Sequence, residues 1–309
     1  MKAVRLHAYG DASVLNFEDA PMPEVGAEDV LIKVVATSIN PVDWKIREGY
    51  LKSMIDYPMP LTLGLDVSGV VTAVGPDAKG FKIGDAVYSR PDVLRNGSYA
   101  EYVVVRANEV AMKPRTISHV EAATLPLVSI TAWEALFTTA DLQPGQKVLI
   151  HAGSGGVGSI AVQLAKWKGA EVTATTSAPN MEFVRGLGAD QVIDYRAGPI
   201  TTGGFDVVFD TIGGDTQEAS WGLLKPGGIL VSITQKPSEE RAASLGVRSA
   251  YLFISPNAAI LAKLADLVDA SVVRPVIGAE FALKDMAAAH TFSETGRTRG
   301  KIAIYVGQP

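Results

Sequence analysis

An apolar run, KVLI at 147–150, leads directly into HAGSGGVGS at 151–159, which opens a stretch of helical period, IAVQLAKW. Four glycines in nine residues are more than a tight turn requires. Something must come so close to the backbone that side chains would obstruct it. Gly153, Gly155 and Gly158 fall at G-x-G-x-x-G spacing, between a predicted strand and a predicted helix. In that context the spacing is a dinucleotide-binding signal. The first glycine allows the turn, the second admits a pyrophosphate, and the third packs helix on strand. The free amides of the first helical turn then face the anion. Val157, Ile160, Ala161, Leu164 and Ala165 recur at helical spacing and can pack on a sheet. A glycine-rich turn without a ligand is the plainer alternative; strand, spacing and helix together weigh against it.

The motif sits in an alternating series. EVTATTS, QVIDY, FDVVFDTIG and GGILVSIT read as strands; NMEFVRGLG and DTQEASWGLLK read as helices. Runs such as VLI and VVF are apolar without alternation, as in strands covered on both faces. This predicts an α/β fold with a Rossmann-type, doubly wound parallel sheet. The first third is different. DVLIKVVATSI, DVSGVVTAVG and GSYAEYVVV are rich in β-branched residues, and Gly26, Gly75, Gly80, Gly84 and Gly97 punctuate them, as in a compact β-rich domain. The texture changes at Ser118, where SHVE has capping-box form with Glu121. After Ser255 come a helix, NAAILAKLADLVDAS, and a last strand, KIAIYV.

NAD-preferring sites place an acid at the tip of the second strand. Here the tip carries Thr175, Thr176 and Ser177. An acid would repel a 2′-phosphate and hydroxyls can donate to one, so NADPH is favoured. Asn180, Tyr195 and Arg196 are candidates to complete the pocket, and Ser177 has a second reading as a helix cap.

Other chemistries are narrowed by what is missing. The sequence has no cysteine, and His7, His119, His151 and His290 lie at no metal-ligand spacing, so no metal is expected. The net charge is −5 without a basic block, against nucleic acid or an anionic membrane as partner. No apolar run approaches the ~18 residues that span a bilayer, and MKAVRLHAYG lacks a signal-peptide core. A cytoplasmic protein is expected.

SINPVDWKIREG, GLDVSGVV, GSYAEYVVV, SITAWEAL, HAGSGGVGSIAVQLAK, GADQVIDY, FDVVFDTIGG and GRTRGKIAIYV together resemble the medium-chain dehydrogenase/reductase superfamily. More narrowly the chain resembles its zinc-independent quinone oxidoreductase branch, which includes enone (alkenal) reductases. Asn40 and Leu65 stand where zinc-dependent relatives carry a Cys and a His, and Asp66 matches their adjacent acid. The resemblance implies a GroES-like catalytic domain at 1–115 and 258–309 and a Rossmann domain at 116–257, with the active site in the cleft between them. It also implies cofactor contacts at Asn40, Thr131, Ser154, Gly156, Val157, Ser177, Tyr195, Ile212, Phe253, Ser255 and Lys301. A homodimer paired through RSAYLF rests on the likeness alone.

Without a metal to polarise an alcohol, a conjugated acceptor is the suitable partner: hydride from NADPH adds to a quinone or to the C=C bond of an α,β-unsaturated carbonyl, while charge moves onto oxygen. Asn40 is the expected donor to that oxygen, with Lys45 and Tyr50 as further catalytic candidates. Lys45 and Arg47 have an alternative reading as a solvated face, and Tyr50 as packing. Asp43 is expected to organise the loop rather than to take protons, and His151 to be a satisfied core histidine. Trp133, Trp167 and Trp221 are expected in core or helix–sheet packing. A non-catalytic NADPH-binding sensor or structural protein needs the same glycine loop and stays open. An enoyl-thioester reductase would need a basic entrance, and none is visible.

Overall fold

The computed structural model describes residues 1–307 and divides into two compact units, Met1–Leu127 with the segment from Ser255 onward, and Val128–Ile254. The first unit is β-rich. A small antiparallel sheet joins β1 (Lys2–Leu6), β2 (Leu15–Asp19) and β4 (Leu61–Thr62). A larger one runs β15 (Ile277–Ala282), β16 (Lys301–Tyr305), β3 (Asp29–Ile39), β5 (Val67–Val74), β6 (Ala86–Ser89) and β8 (Val110–Met112), with β7 (Tyr102–Arg106) also on β3. Val30, Ile32, Val34, Val67, Val71, Val87, Val103 and Val105 fill its core. β-Branched side chains suit such a pleated, buried surface. Four helices belong to this unit: α1 (Pro41–Arg47), α2 (His119–Ala122), α8 (Ala258–Asp269) and α9 (Met286–Glu294). The capping box read at Ser118 is present: Ser118 Oγ accepts from the Glu121 amide, and the Glu121 carboxylate accepts from the Ser118 amide.

The second unit is built on a six-stranded, wholly parallel sheet in the order β11 (Gln191–Asp194), β10 (Glu171–Thr176), β9 (Lys147–Ile150), β12 (Phe205–Asp210), β13 (Leu224–Ser232), β14 (Arg248–Tyr251). The order reverses at β9, as in doubly wound folds. Four helices belong to the crossovers: α4 (Gly156–Trp167), α5 (Met181–Arg185), α6 (Gly214–Ser220) and α7 (Glu239–Ser244). α3 (Pro126–Trp133) continues as a π-helical stretch over Glu134–Thr139. β13 begins at Leu224, ahead of the expected GGILVSIT, and α6 stops at Ser220.

Two packing expectations change. Trp221 is buried as expected, but Trp167 is 46% exposed, tilted against Trp133 and edge-on to Phe137. Arg47 is wholly buried, not on a solvated face, because Glu48, Glu294 and the Gly10 carbonyl receive its guanidinium. No described helix is long and apolar enough to cross a membrane.

Candidate functional site

The glycine loop joins β9 to α4, and the geometry separates the roles of its glycines. The left-handed residue of the turn is Ala152, with φ 51°, so the turn does not depend on Gly153. Gly153 is glycine for a different reason: a Cβ there would lie 2.8 Å from the Ala174 Cβ. At Gly158 a Cβ would lie 2.1 Å from the Ala152 carbonyl oxygen, so this glycine lets α4 pack on the turn. Gly155, the helix N-cap, is different: a Cβ would meet only the Ala152 oxygen, at 3.4 Å. No described residue requires its missing side chain. The amides of Gly156, Val157 and Gly158 open α4 with no side-chain cap and no acceptor among the described residues. They form a cradle of donors at a helix start, and a dinucleotide's pyrophosphate fits it.

The tip of β10 lies beside this loop. Thr176 Oγ1 donates to Ser154 Oγ at 2.8 Å, and Asn180 Nδ2 lies 3.5 Å from Ser154 Oγ and 3.3 Å from Ser177 Oγ. Ser177 makes no capping hydrogen bond, so its reading as a mere helix cap fails. Tyr195 is exposed; its amide bonds the Thr176 carbonyl, and the Arg196 guanidinium lies over its ring. Ser154, Ser177, Asn180, Tyr195 and Arg196 thus lie at the C-terminal ends of β10 and β11, with no carboxylate on the β10 tip itself and Asp194 of β11 opposite Thr176. Asp210, wholly buried at the end of β12, accepts from the amides of Ile212 and Gly213 and from Gln217 and Ser232, which fixes the loop presenting exposed Ile212. Thr131 is buried on α3, and Phe253 is half-exposed beyond β14. His151 is the core histidine expected: it meets Ser220 Oγ at 2.9 Å and Thr175 Oγ1 at 3.3 Å, and burial pulls its pKa down to about 4.

In the β-rich unit, Asn40 caps the start of α1 and is 1% exposed. Its side-chain amide spans two partners, donating from Nδ2 to Asp66 Oδ2 at 2.7 Å and accepting from Lys301 Nζ on Oδ1. Lys301 also donates to the Ile39 carbonyl and to Asp66. Asp66 is the hub: Oδ2 accepts from Ser38, Asn40 and Lys301, and Oδ1 from the Leu127 amide. Lys45 and Tyr50 are not part of this network. They meet on Trp44 instead, Lys45 over the ring at 5.6 Å and Tyr50 edge-on at 6.2 Å, with Tyr50 65% exposed. A hydrogen bond to Glu48 pushes the Tyr50 pKa up.

Asp43 organises the loop as expected, its Oδ2 accepting from the Asn40 amide at 2.8 Å. It also ends a buried chain with no local sequence signature. Arg47 donates to His290 Nδ1 at 3.2 Å, so Nε2 carries the proton toward the Tyr99 hydroxyl, 3.3 Å away, and that hydroxyl donates to Asp43 Oδ2 at 2.9 Å. Burial, reinforced by Arg47, pulls the His290 pKa down to about 3, and burial pushes Asp43 up to about 7.

Residues 26–115 match the family described as alcohol dehydrogenase GroES-like domain, and residues 187–304 match zinc-binding dehydrogenase. The chain is 35% identical to a mitochondrial NAD(P)H oxidoreductase of Danio rerio, over 99% of this chain and 91% of that protein. It is 37% identical to a chloroplastic NADPH-dependent alkenal/one oxidoreductase of Arabidopsis thaliana, over 99% and 79% respectively. A solved quinone oxidoreductase from Coxiella burnetii superposes with a TM-score of 0.90 at 36% identity, over 99% of both chains. The zinc named by one family description does not fit the residues present. Leu65 offers no lone pair, the sequence has no cysteine, and the Asp66 carboxylate already accepts from four donors, one of them the Lys301 ammonium. With that fold, that loop and those relatives, the chain belongs to the medium-chain dehydrogenase/reductase superfamily, in its branch of quinone oxidoreductases and alkenal reductases.

Proposed function

We propose that this protein is an NADPH-dependent reductase of quinones or of the C=C bond of α,β-unsaturated carbonyls. The observation that carries the reading is the cradle at α4: three helix-start amides without acceptors among the described residues, behind a glycine whose absent side chain none of those residues demands. The β-rich unit, Met1–Leu127 with the segment from Ser255 onward, would serve as the catalytic domain and Val128–Ile254 as the nucleotide domain, in place of the boundaries at 115 and 258 that the resemblance implied. Ser154 and the amides of Gly156, Val157 and Gly158 would hold the pyrophosphate, and Ser177, Asn180, Tyr195 and Arg196 the 2′-phosphate. Thr131, Ile212, Phe253, Ser255, Asn40 and Lys301 would serve the nicotinamide end, as in the family. NADPH, when bound, supplies a hydride. The chain's task is then to fix the acceptor's orientation, exclude water and donate to the oxygen on which charge develops. Lys301 and Asp66 hold Asn40 in one rotamer, and Asp210 holds the Ile212 loop, so both sides of that task rest on buried supports. A homodimer pairing through β14, the edge strand of the parallel sheet, completes the reading.

The test is cofactor absorbance with NADPH and a panel of quinones and enones. Acceptor-dependent oxidation is expected; tight NADPH binding with no turnover across the panel would replace this reading with a sensor.

A further inference from the structure

Asn40, the donor in the reading above, has one hydrogen to spare. Its Oδ1 accepts from the Lys301 ammonium, and one Nδ2 hydrogen goes to the Asp66 carboxylate. The ammonium can only donate and the carboxylate paired with it only accepts, so the amide cannot flip. The second Nδ2 hydrogen meets no acceptor among the described residues. Where that hydrogen points then depends on how the main chain of Asn40 is held.

Asp43 holds it, and Asp43 is braced from a distance. Glu121 makes the same helix-start bond for α2, its carboxylate accepting from the Ser118 amide at the surface. No side chain but Ser118 is bonded to that carboxylate among the described residues. At α1 the corresponding carboxylate has no exposure, and three more side chains with no exposure stand behind it. Tyr99 donates to Asp43 Oδ2, His290 lies edge-on to Tyr99 and donates to its hydroxyl, and Arg47 donates to His290. His290 and Glu294 stand one turn apart on α9, and Arg47 meets both. Arg47 cannot accept, so every hydrogen in the chain points one way, toward Asp43.

A helix cap needs none of this excess. A buried polar chain adds little net stability over apolar side chains of the same size. When its members are bonded to one another it does hold a single geometry. Here it ties α9 and the segment ahead of β7 to the main-chain amide of Asn40.

We propose that Tyr99 and His290 are positioning residues for the reduction: they hold Asp43, and through it the main chain at Asn40, so that the spare Asn40 hydrogen meets the oxygen of the quinone or enone. The assignment rests on the reductase reading above. Neither residue touches the reacting atoms. Losing either lets residue 40 drift, and the drift weighs on the transition state, where the oxygen carries charge, more than on ground-state binding. The effect therefore falls on kcat and spares the acceptor KM.

Kinetics with NADPH and 1,4-benzoquinone or but-3-en-2-one test this, at a temperature where circular dichroism shows each variant fully folded. Asn40→Ala should lower kcat by about 10²-fold, the scale of a lost oxyanion donor. Tyr99→Phe and His290→Leu displace the donor without removing it. Each should lower kcat by about tenfold, with the acceptor KM within about twofold of wild type. In His290→Gln the new amide can accept from Arg47 and donate to Tyr99, so kcat should stay within about threefold of wild type. Asn40→Ala keeps the main-chain amide, and with it the chain of bonds, but has no donor to aim. Adding Tyr99→Phe to it should leave kcat within about twofold of Asn40→Ala alone, while lowering the thermal midpoint as much as Tyr99→Phe does by itself. If His290→Leu does not fold, this Tyr99 and Asn40 cycle decides. The proposal is overturned if Tyr99→Phe or Asn40→Ala keeps the wild-type kcat, or if His290→Gln is as slow as His290→Leu. It is equally overturned if Tyr99→Phe costs the full tenfold again on Asn40→Ala, which marks a general loosening of the fold. A wild type that oxidises NADPH with neither acceptor removes the reductase reading itself, and this assignment with it.

Discussion

At the residue scale the glycine loop makes a separable prediction. An alanine at Gly155 meets nothing closer than 3.4 Å and keeps an ordinary extended backbone, so folding should change by less than about 1 kcal/mol. NADPH affinity should nevertheless drop tenfold or more, an order-of-magnitude expectation of about 1.4 kcal/mol for a methyl in the pyrophosphate cradle. Gly158→Ala should show the reverse emphasis: its Cβ would press on the Ala152 carbonyl at 2.1 Å, so the thermal midpoint falls along with binding. Unchanged NADPH affinity in Gly155→Ala would remove the close-approach explanation of the loop. Ser177→Asp adds a second check. A carboxylate beside the 2′-phosphate should weaken NADPH by roughly 10- to 100-fold through like-charge repulsion and leave NADH almost untouched. Parallel losses for both cofactors, measured by fluorescence titration, would move the 2′-phosphate away from Ser177.

At the scale of elements, α2 depends on a local signal. Ser118 and Glu121 satisfy each other's amides at its start, and Ser118→Ala should cost about 1 kcal/mol in urea unfolding. That element was legible because a cap is written within four residues. The parallel sheet was legible for a similar reason: KVLI, FDVVFD and their neighbours are continuous apolar runs, and each announces a strand covered on both faces. The candidate site was legible only where it is local. Gly155, Ser177 and Asn40 stand in short motifs, whereas Arg47 finds Glu294 and His290 more than 240 positions away, and nothing around WKIREG reports that burial. The turn at Ala152 was misread because a left-handed residue next to glycines is most simply assigned to a glycine.

At the scale of the whole molecule, buried titratable groups set the response to acid, and they pull in opposite directions. His119, His151 and His290 are held near 4, 4 and 3 chiefly by burial, against an ordinary value of 6.5. The unfolded chain takes up their protons as pH falls through 6.5, and the folded chain does not until about 4 or 3. Their contribution is therefore complete above 6.5 and is lost on acidification. Asp43 runs the other way. Its folded carboxyl binds a proton near 7 and its unfolded one near 3.8, so it adds stability as pH drops across that interval and opposes folding above 7. With each buried group worth about 1.4 kcal/mol per pH unit, three losses against one gain leave a net fall of about 2 kcal/mol per unit between pH 6 and 4, after discounting the less buried His119. Replacing Asp43 with Asn removes the one compensating gain. Relative to wild type, the variant should therefore improve by about 3 to 4 kcal/mol on going from pH 4 to pH 8, since it never has to ionise a buried carboxyl. Urea unfolding at a series of pH values reads both slopes. Parallel curves for the two proteins would mean that Asp43 ionises in the fold as it does in the unfolded chain, and that its burial costs the folded state nothing as pH rises.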